Sequence, residues 1–254
     1  SAIRKDHPRM GGRKMYYMIK EDIERAGIKM GRDALFSLLA SEHLLVHPRK
    51  RKQVTTNSKH WYKKYPNLIK DIRPDRPNKI WVSDITYIKA KNEFLYLFLI
   101  TDAYSKKILG FRLAKNLDSI HAVNSLQDAL KNTCQPVSGL IHHSDRGIQY
   151  CSKEYTDLLK GNDILISMTE NGDPLENPIA ERVNGILKDE YLFNKLNNYD
   201  YLDNKQVSNA IDKYNTLRPH LSCEMLTPEK AHKSHGQLKK LWKNYYRKKA
   251  NLEV

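Results

Sequence analysis

The stretch IWVSDITYIKA, residues 80–90, is followed two residues later by EFLYLFLITDAYS, residues 93–105. Both stretches are rich in β-branched and aromatic residues, which favour β-strands. The polar residues at 91–93 predict a hairpin between them. KILGFRLA, residues 107–114, predicts a third strand. Three consecutive strands therefore begin a sheet, and this beginning decides the fold class.

Helices and strands alternate after the third strand. Residues 119–133 and 152–163 have the apolar spacing of amphipathic helices, and residues 139–145 and 164–169 predict a fourth and a fifth strand. Two more helices are predicted at 177–191 and 201–217. This order predicts an α/β domain with a mixed five-stranded sheet and flanking helices.

The first fifty residues predict two helices instead of strands. One covers about 13–26 and is closed by a glycine, and the other covers about 32–42. Four apolar side chains of the second helix are expected to face inward: Leu35, Phe36, Leu38 and Leu39. A tight turn between two helices is typical of the helix-turn-helix. Residues 47–77 are polar, basic and interrupted by proline, which predicts a linker.

The net charge of +15, with 44 Lys and Arg against 29 Asp and Glu, indicates a polyanionic partner. Residues 49–64 and 238–249 combine basic residues with Trp and Tyr and contain no acid, which favours nucleic acid. A solubilising tail is the alternative, and a membrane surface is a weaker one. No long apolar run or signal-peptide pattern occurs, and the three cysteines have no metal-type spacing. We therefore expect a soluble, non-exported protein from a reducing compartment.

Three acidic residues are candidates for catalysis. Asp84 interrupts the first strand and Asp145 closes the fourth, although Asp is depleted in strands. Glu181 lies on the helix at 177–191, on one polar face with Asn177, Asn184 and Lys188. Such a face is usually only solvated. Two strand carboxylates and a helix carboxylate, however, are oxygen ligands that suit Mg²⁺, and paired ions can promote phosphodiester displacement.

These acids resemble the triad of the DDE transposase and retroviral-integrase superfamily. The separation of Asp145 and Glu181 is 181 − 145 = 36, and Lys188 follows Glu181 by seven positions, as in that group. YNTLRPHLSCEMLTPEKA after the helix and HPRMGGRKMYYMI near the N-terminus are similar to OrfB-type transposases of the IS-three family of bacterial insertion sequences. The resemblance covers nearly the whole chain.

The resemblance implies an RNase H-like catalytic domain at 78–235. It would be preceded by a helix-turn-helix-like DNA-binding region at 1–47 and a basic linker at 48–77, and followed by a basic tail at 236–254. Asp84, Asp145 and Glu181 would bind two Mg²⁺ ions, with Mn²⁺ able to substitute, and would catalyse 3′-end cleavage and strand transfer. The residues expected to contact DNA are Lys188, Asn177, Asn184, Arg146, Arg13, Lys14, Arg32, Arg49, Lys50, Arg51 and Lys52.

The implied partners are double-stranded DNA, as terminal inverted repeats and as target, and further copies of the chain in a synaptic dimer or higher multimer. The implied location is the bacterial cytoplasm, at the nucleoid. No membrane partner is expected, and no P-loop is present, so no nucleotide cofactor is expected. The family usually joins this region to an upstream partner frame, and a chain that begins SAIRKDHP without Met is consistent with a missing upstream portion.

Several alternatives remain open from the residues alone. Four other acids could replace Glu181: Asp102, Glu170, Glu176 and Glu190. His142 and His143 flank Asp145 closely enough to be read as ligands, although packing or DNA contact is the favoured reading. The rival functions are a regulator of transposon origin without catalysis, and a host nuclease such as a junction resolvase or an RNA–DNA hybrid nuclease.

Overall fold

The computed structural model describes residues 2–46, 61–89, 94–133, 136–170, 176–192, 202–239 and 241. Within these ranges one sheet has the strand order β3-β2-β1-β4-β5. Its strands are β1 (Ile80–Lys89), β2 (Phe94–Asp102), β3 (Ile108–Ala114), β4 (Ile141–Ser144) and β5 (Leu165–Met168). β1, β2 and β3 are antiparallel, whereas β4 runs parallel to β1 and β5 parallel to β4. The predicted mixed five-stranded sheet is confirmed, while the predicted turn at 91–93 lies outside the described residues.

Helices pack on both faces of the sheet and also form the N-terminal part of the chain. They are α1 (Ala2–Asp6), α2 (Gly12–Arg25), α3 (Arg32–Ser41), α4 (Ser119–Lys131), α5 (Ile148–Cys151), α6 (Lys153–Gly161), α7 (Pro178–Ile186), α8 (Asn204–Leu217) and α9 (Pro228–Ala231). The helix predicted at 177–191 changes at Leu187 into a π-helix (Leu187–Leu192). Among the helices described, none is long and apolar enough to span a membrane.

Alternation along β2 builds a core on each face of the sheet. Phe98 and Ile100 pack in the core that α4 and α6 cover, whereas Leu97 and Leu99 pack in the core that α7 and α8 cover. α4 crosses β3 so closely that a Cβ atom added at Gly110 would lie 2.1 Å from the Ser125 carbonyl oxygen. Glycine is therefore required where this helix meets the sheet.

α2 and α3 have a small core of their own. Leu35 and Leu39, one helical turn apart, are buried with Met10 and Met15. The prediction that Phe36 and Leu38 also face inward is wrong, because their side chains are 37% and 44% exposed. Two short helices cover only a narrow stripe of each other, so residues beside the i, i+4 row remain in solvent.

The N-terminal helices contact the sheet domain through polar side chains. The His7 Nδ1 atom lies 2.8 Å from the Tyr191 hydroxyl, and the Lys213 ammonium donates to the Asp6 carboxylate at 2.6 Å. The domain boundaries at 47 and 77 stay predictions, and the basic cluster Arg49, Lys50, Arg51 and Lys52 lies outside the described residues.

Candidate active site

The parallel pairing of β1 with β4 places Asp84 and Asp145 at equivalent positions along the two neighbouring strands. Ile80 pairs with Ile141 and Val82 with His143, a constant offset of 141 − 80 = 61. The same offset relates the two aspartates, since 145 − 84 = 61. Asp84 also lies two residues from Val82 and four from Ile88, so it is on the face of β1 that α7 covers.

Asp145 lies one residue beyond β4 in a tight turn. Its Oδ1 atom accepts a hydrogen bond from the Gly147 amide at 2.9 Å. A Cβ atom added at residue 147 would lie 3.0 Å from the same oxygen, so a side chain there would crowd the carboxylate. Gly147 was missed by sequence reasoning, although a glycine two residues after a strand-ending Asp is a recognisable turn signal.

Two asparagines of α7 bind β1. Asn184 Nδ2 donates to the Asp84 Oδ2 atom at 2.7 Å, and Asn177 Nδ2 donates to the Ser83 carbonyl at 2.9 Å. Both side chains are buried. Asn177 makes no side-chain capping bond at the start of α7. Its amide is used to hold the helix on the strand.

Lys188 continues this polar face into the π-helix. Its ammonium group donates to the Tyr87 carbonyl at 2.7 Å and lies 3.4 Å from the Thr86 hydroxyl. Burial lowers the pKa of Lys188, while nearby Asp189 and Asp84 act in the opposite direction. The expected DNA contact of Lys188 stays a prediction, and in this structure the ammonium is bonded to the strand that carries Asp84.

The two aspartates are half-buried and repel each other. Burial raises the pKa of Asp84 to about 7, the charge of Asp145 adds to this rise, and the hydrogen bond from Asn184 opposes it. Glu181 makes a smaller contribution in the same direction as Asp145. Like charges this close are stabilised when a cation lies between them, so this pair has the electrostatics of a cation site.

Glu181 is exposed on the first turn of α7. Among the described residues, no three side chains of His, Cys, Asp or Glu are close enough to hold a metal ion together. The structure therefore pairs Asp84 with Asp145 and does not bring Glu181 into a common ligand set. Two carboxylates still suit Mg²⁺, which keeps waters and substrate phosphates as its other ligands.

The competing acids have other partners. Asp102 is buried and accepts from the Asn78 and Ser105 amides at 2.8 and 2.7 Å, which holds the turn after β2. Glu190 forms two hydrogen bonds with Arg218. The Glu176 carboxylate accepts from the Glu170 amide.

The two histidines before Asp145 are packing residues. His142 lies 2.9 Å from the Tyr155 hydroxyl, and His143 lies 2.8 Å from the Ser167 hydroxyl. Burial lowers the pKa of His142 to about 3 and that of His143 to about 4, so both rings are neutral at pH 7. DNA cannot contact either ring, since both side chains are fully buried.

The remaining residues expected to contact DNA are spread over the surface. Arg146 is half-buried beside Asp145, and Arg13 is exposed on α2. Arg32 is exposed and pairs with the neighbouring Asp33 at 2.8 Å. Lys14 is half-buried and lies 4.0 Å from the Glu190 carboxylate.

The sequence of this chain matches models of a known protein family. Two models described as "Integrase core domain" match residues 74–174 and 162–228, so that together they run over the whole sheet domain. Among curated proteins, an uncharacterised 31 kDa protein of insertion element IS600 from Shigella sonnei is 29% identical over 87% of this chain and 81% of its own length.

Two further relatives carry the name transposase. The IS629 transposase of Shigella sonnei is 30% identical over 75% of this chain, and a putative IS150 transposase of Escherichia coli is 31% identical over 64%. The chain spans 62% and 58% of the lengths of these two relatives.

Solved structures show the same fold. The HTLV-2 integrase catalytic core domain in complex with magnesium matches with a TM-score of 0.52 and 22% identity, over 63% of this chain and 99% of that one. A chain of the simian T-cell lymphotropic virus intasome in complex with the PP2A regulatory subunit B56 gamma matches with a TM-score of 0.56 and 20% identity, over 96% of this chain and 81% of that one. At these identities the likeness concerns the fold.

Proposed function

Because the chain belongs to the DDE transposase and integrase superfamily and is related to insertion-sequence transposases, we propose that it cleaves the 3′ ends of a bacterial insertion sequence and joins them to target DNA. The observation that carries this proposal is the Asp84–Asp145 pair at the junction of β1 and β4, with the polar face of α7 bonded beside it. Two repelling carboxylates have no evident structural benefit, since their proximity disfavours the folded state.

The carboxylates of Asp84 and Asp145 would hold the divalent cations, and Glu181 would complete the ligand set after a movement of its side chain or of the start of α7. Bound Mg²⁺ or Mn²⁺, as a pair, would supply Lewis-acid activation of the attacking and leaving oxygens of an in-line phosphoryl transfer. Asn184 fixes the direction of the Asp84 carboxylate by bonding one of its oxygens. The other oxygen of Asp84 then faces a defined position.

The basic surface would hold the DNA. A net charge of +15 favours binding to phosphates, and such contacts position a duplex without reading its sequence. Arg146 next to Asp145 and the arginines Arg13 and Arg32 of the N-terminal helices are the proposed phosphate contacts among the described residues, with Lys188 at the active site. Two ends held at once require more than one copy of the chain, so we propose a multimeric complex.

The test is a joining assay with the full chain and duplexes from both flanks of its own gene. We expect 3′-end cleavage and joined products with Mg²⁺ or Mn²⁺, and neither product in a chelator, because the carboxylates need a divalent cation. Sequence-specific binding without any cleavage would favour the regulator. Cleavage of RNA–DNA hybrids or junctions without joining would favour the host nuclease.

A further inference from the structure

A cavity of about 910 Å³ lies on the other side of α7 from Asp84. Its walls come from α2, the segment 72–74, the turn after β2, one face of α7, and the residues that follow α8. Five cationic residues line it: Lys14, Arg73, Lys106, Arg182 and Arg218. Among the described residues that line the cavity there is no Asp or Glu. The charge of the lining therefore favours an anion.

The positive charge of the cavity lining is only partly neutralised by Glu190, which lies outside the lining. Both oxygens of Glu190 accept from Arg218, at 2.7 and 2.8 Å, which leaves Lys14 at 4.0 Å from the same carboxylate. The Arg182 side chain has no hydrogen bond or ion pair within the described part of the chain. His220 adds no charge, because its Nε2 atom accepts from Arg218 at 3.0 Å.

The burial of Lys14 has an electrostatic cost. Burial first, and then the charge of Arg218, lowers the pKa of Lys14 to about 8. A half-buried ammonium of this kind is stabilised when an anion approaches it. Lys14 and Arg218 share the single carboxylate of Glu190, so one of the two positive charges is not balanced and would be stabilised by an anion.

Tyr104 gives an independent indication. Its side chain is 4% exposed, it lines the cavity, and its hydroxyl has no hydrogen-bond partner in the described structure. Buried hydroxyl groups normally have a partner, because an unsatisfied one is costly. The residue that carries this unpartnered hydroxyl is part of the cavity wall.

The rest of the lining is apolar, which a bare inorganic anion would leave uncovered. The apolar side chains are Ile72, Ile179, Val183, Ile186, Leu221 and Leu238. The volume lies within the range of about 300–1,000 Å³ that is usual for sites of small organic ligands. A double helix does not fit into such a space, whereas a phosphate attached to an apolar ring does.

We propose that this cavity binds an unpaired nucleotide of the DNA, with its phosphate against Lys14 and Arg182 and its base against the apolar wall. The inference rests on the proposed function, which makes DNA the substrate. Arg182 follows Glu181 directly in α7, so one helix would present its carboxylate to the reacting strand and its cation to an unpaired end. Base contacts with apolar and aromatic surfaces are tolerant of sequence, as a site for a variable nucleotide requires.

The experiment compares two end duplexes, one blunt and one with a short 5′ overhang that carries 2-aminopurine, in a fluorescence binding assay with the full chain. We expect wild type to bind the overhang duplex roughly tenfold more tightly than the blunt one, which corresponds to one desolvated phosphate contact. R182Q is expected to lose this ratio while keeping its affinity for the blunt duplex, and K14M is expected to lose the ratio as well. Arg182 is exposed, so R182Q is expected to fold even if K14M does not.

K20M is the matched control, because Lys20 is an exposed lysine on the same helix as Lys14. It should keep the wild-type ratio. A wild-type ratio near one, or an unchanged ratio in both R182Q and folded K14M, overturns the inference. In competition at millimolar concentration, deoxynucleoside monophosphates should reduce the ratio, and their failure to do so also contradicts the inference. If inorganic phosphate reduces the ratio and the monophosphates do not, the site binds the free anion and not the nucleotide. Wild-type joining activity without an overhang effect would refute this inference and leave the proposed function intact.

Discussion

D84N is expected to abolish end cleavage and joining, by roughly a thousandfold or more, and yet to make the protein more stable. The loss of activity follows from the removal of one of two paired carboxylates that are proposed to hold the cations. DNA affinity should change little, because the proposed phosphate contacts lie elsewhere. The gain in stability follows from the removal of a negative charge that desolvation and the neighbouring Asp145 both disfavour.

The pH dependence of this gain has a definite sign. The pKa of Asp84 is about 7 in the folded protein and about 3.9 in an unfolded chain. Between pH 4 and pH 7 the unfolded state loses its proton first, so wild type loses stability relative to D84N as the pH rises. The difference is expected to be absent below pH 4 and to reach at most about 4 kcal/mol above pH 7.

Urea denaturation in a chelator, at pH 4 and pH 8, measures this difference. D157N is the control, since Asp157 is an exposed aspartate on α6 that pairs weakly with Lys160 at 3.9 Å. It should leave both activity and stability near wild type. Equal stabilities of wild type and D84N at pH 8 would mean that the ionised Asp84 carboxylate does not destabilise the folded protein.

R218M is expected to lower the free energy of unfolding by about 3–5 kcal/mol, because it removes a fully buried cation and leaves the half-buried Glu190 carboxylate charged without its main partner. The Arg218 side chain is fully buried, and its two bonds to Glu190 are 2.7 and 2.8 Å long. Burial alone would raise the pKa of Glu190, but the hydrogen bonds and charge of Arg218 lower it. This pair joins the π-helix after α7 to the segment after α8.

Combining R218M with E190Q should recover part of the loss, since the orphaned charge is then removed as well. K213M is the comparison for an exposed pair: Lys213 bonds Asp6 at 2.6 Å, but both side chains are about 40% or more exposed. Its loss is expected to stay below about 1 kcal/mol. A similar loss in K213M and R218M in thermal or urea denaturation would contradict the importance assigned to burial.

Much of the fold was predictable because local composition decided it. β-branched and aromatic runs defined the first two strands, and the alternation of helical and strand-like segments after the third strand defined the order that makes the sheet mixed. Phe36 and Leu38 were predicted wrongly because apolar character alone does not reveal how narrow a two-helix contact is. The π-helix at Leu187 was missed, since it has no reliable sequence signal.

The site was predictable as a set of residues but not as a geometry. Strand-breaking aspartates and the 36-residue separation selected Asp84, Asp145 and Glu181, but only the pairing offset of β1 and β4 makes the first two neighbours. The bonds of Asn177 and Lys188 to β1 could not be foreseen, because a polar helix face gives no information about its partner. The cavity behind α7 depends on five separate parts of the chain, which no local pattern relates.

The most direct test of the account is the joining of a pre-cleaved end duplex to a target plasmid by E181Q in Mg²⁺. Glu181 is the one triad member that the structure leaves exposed and outside a common ligand set, so a change at this residue separates a three-carboxylate site from a two-carboxylate site. We predict that wild type forms joined products and that E181Q, with normal DNA affinity and melting temperature, forms none above background. Joined products from E181Q at a near-normal rate would contradict the three-carboxylate mechanism.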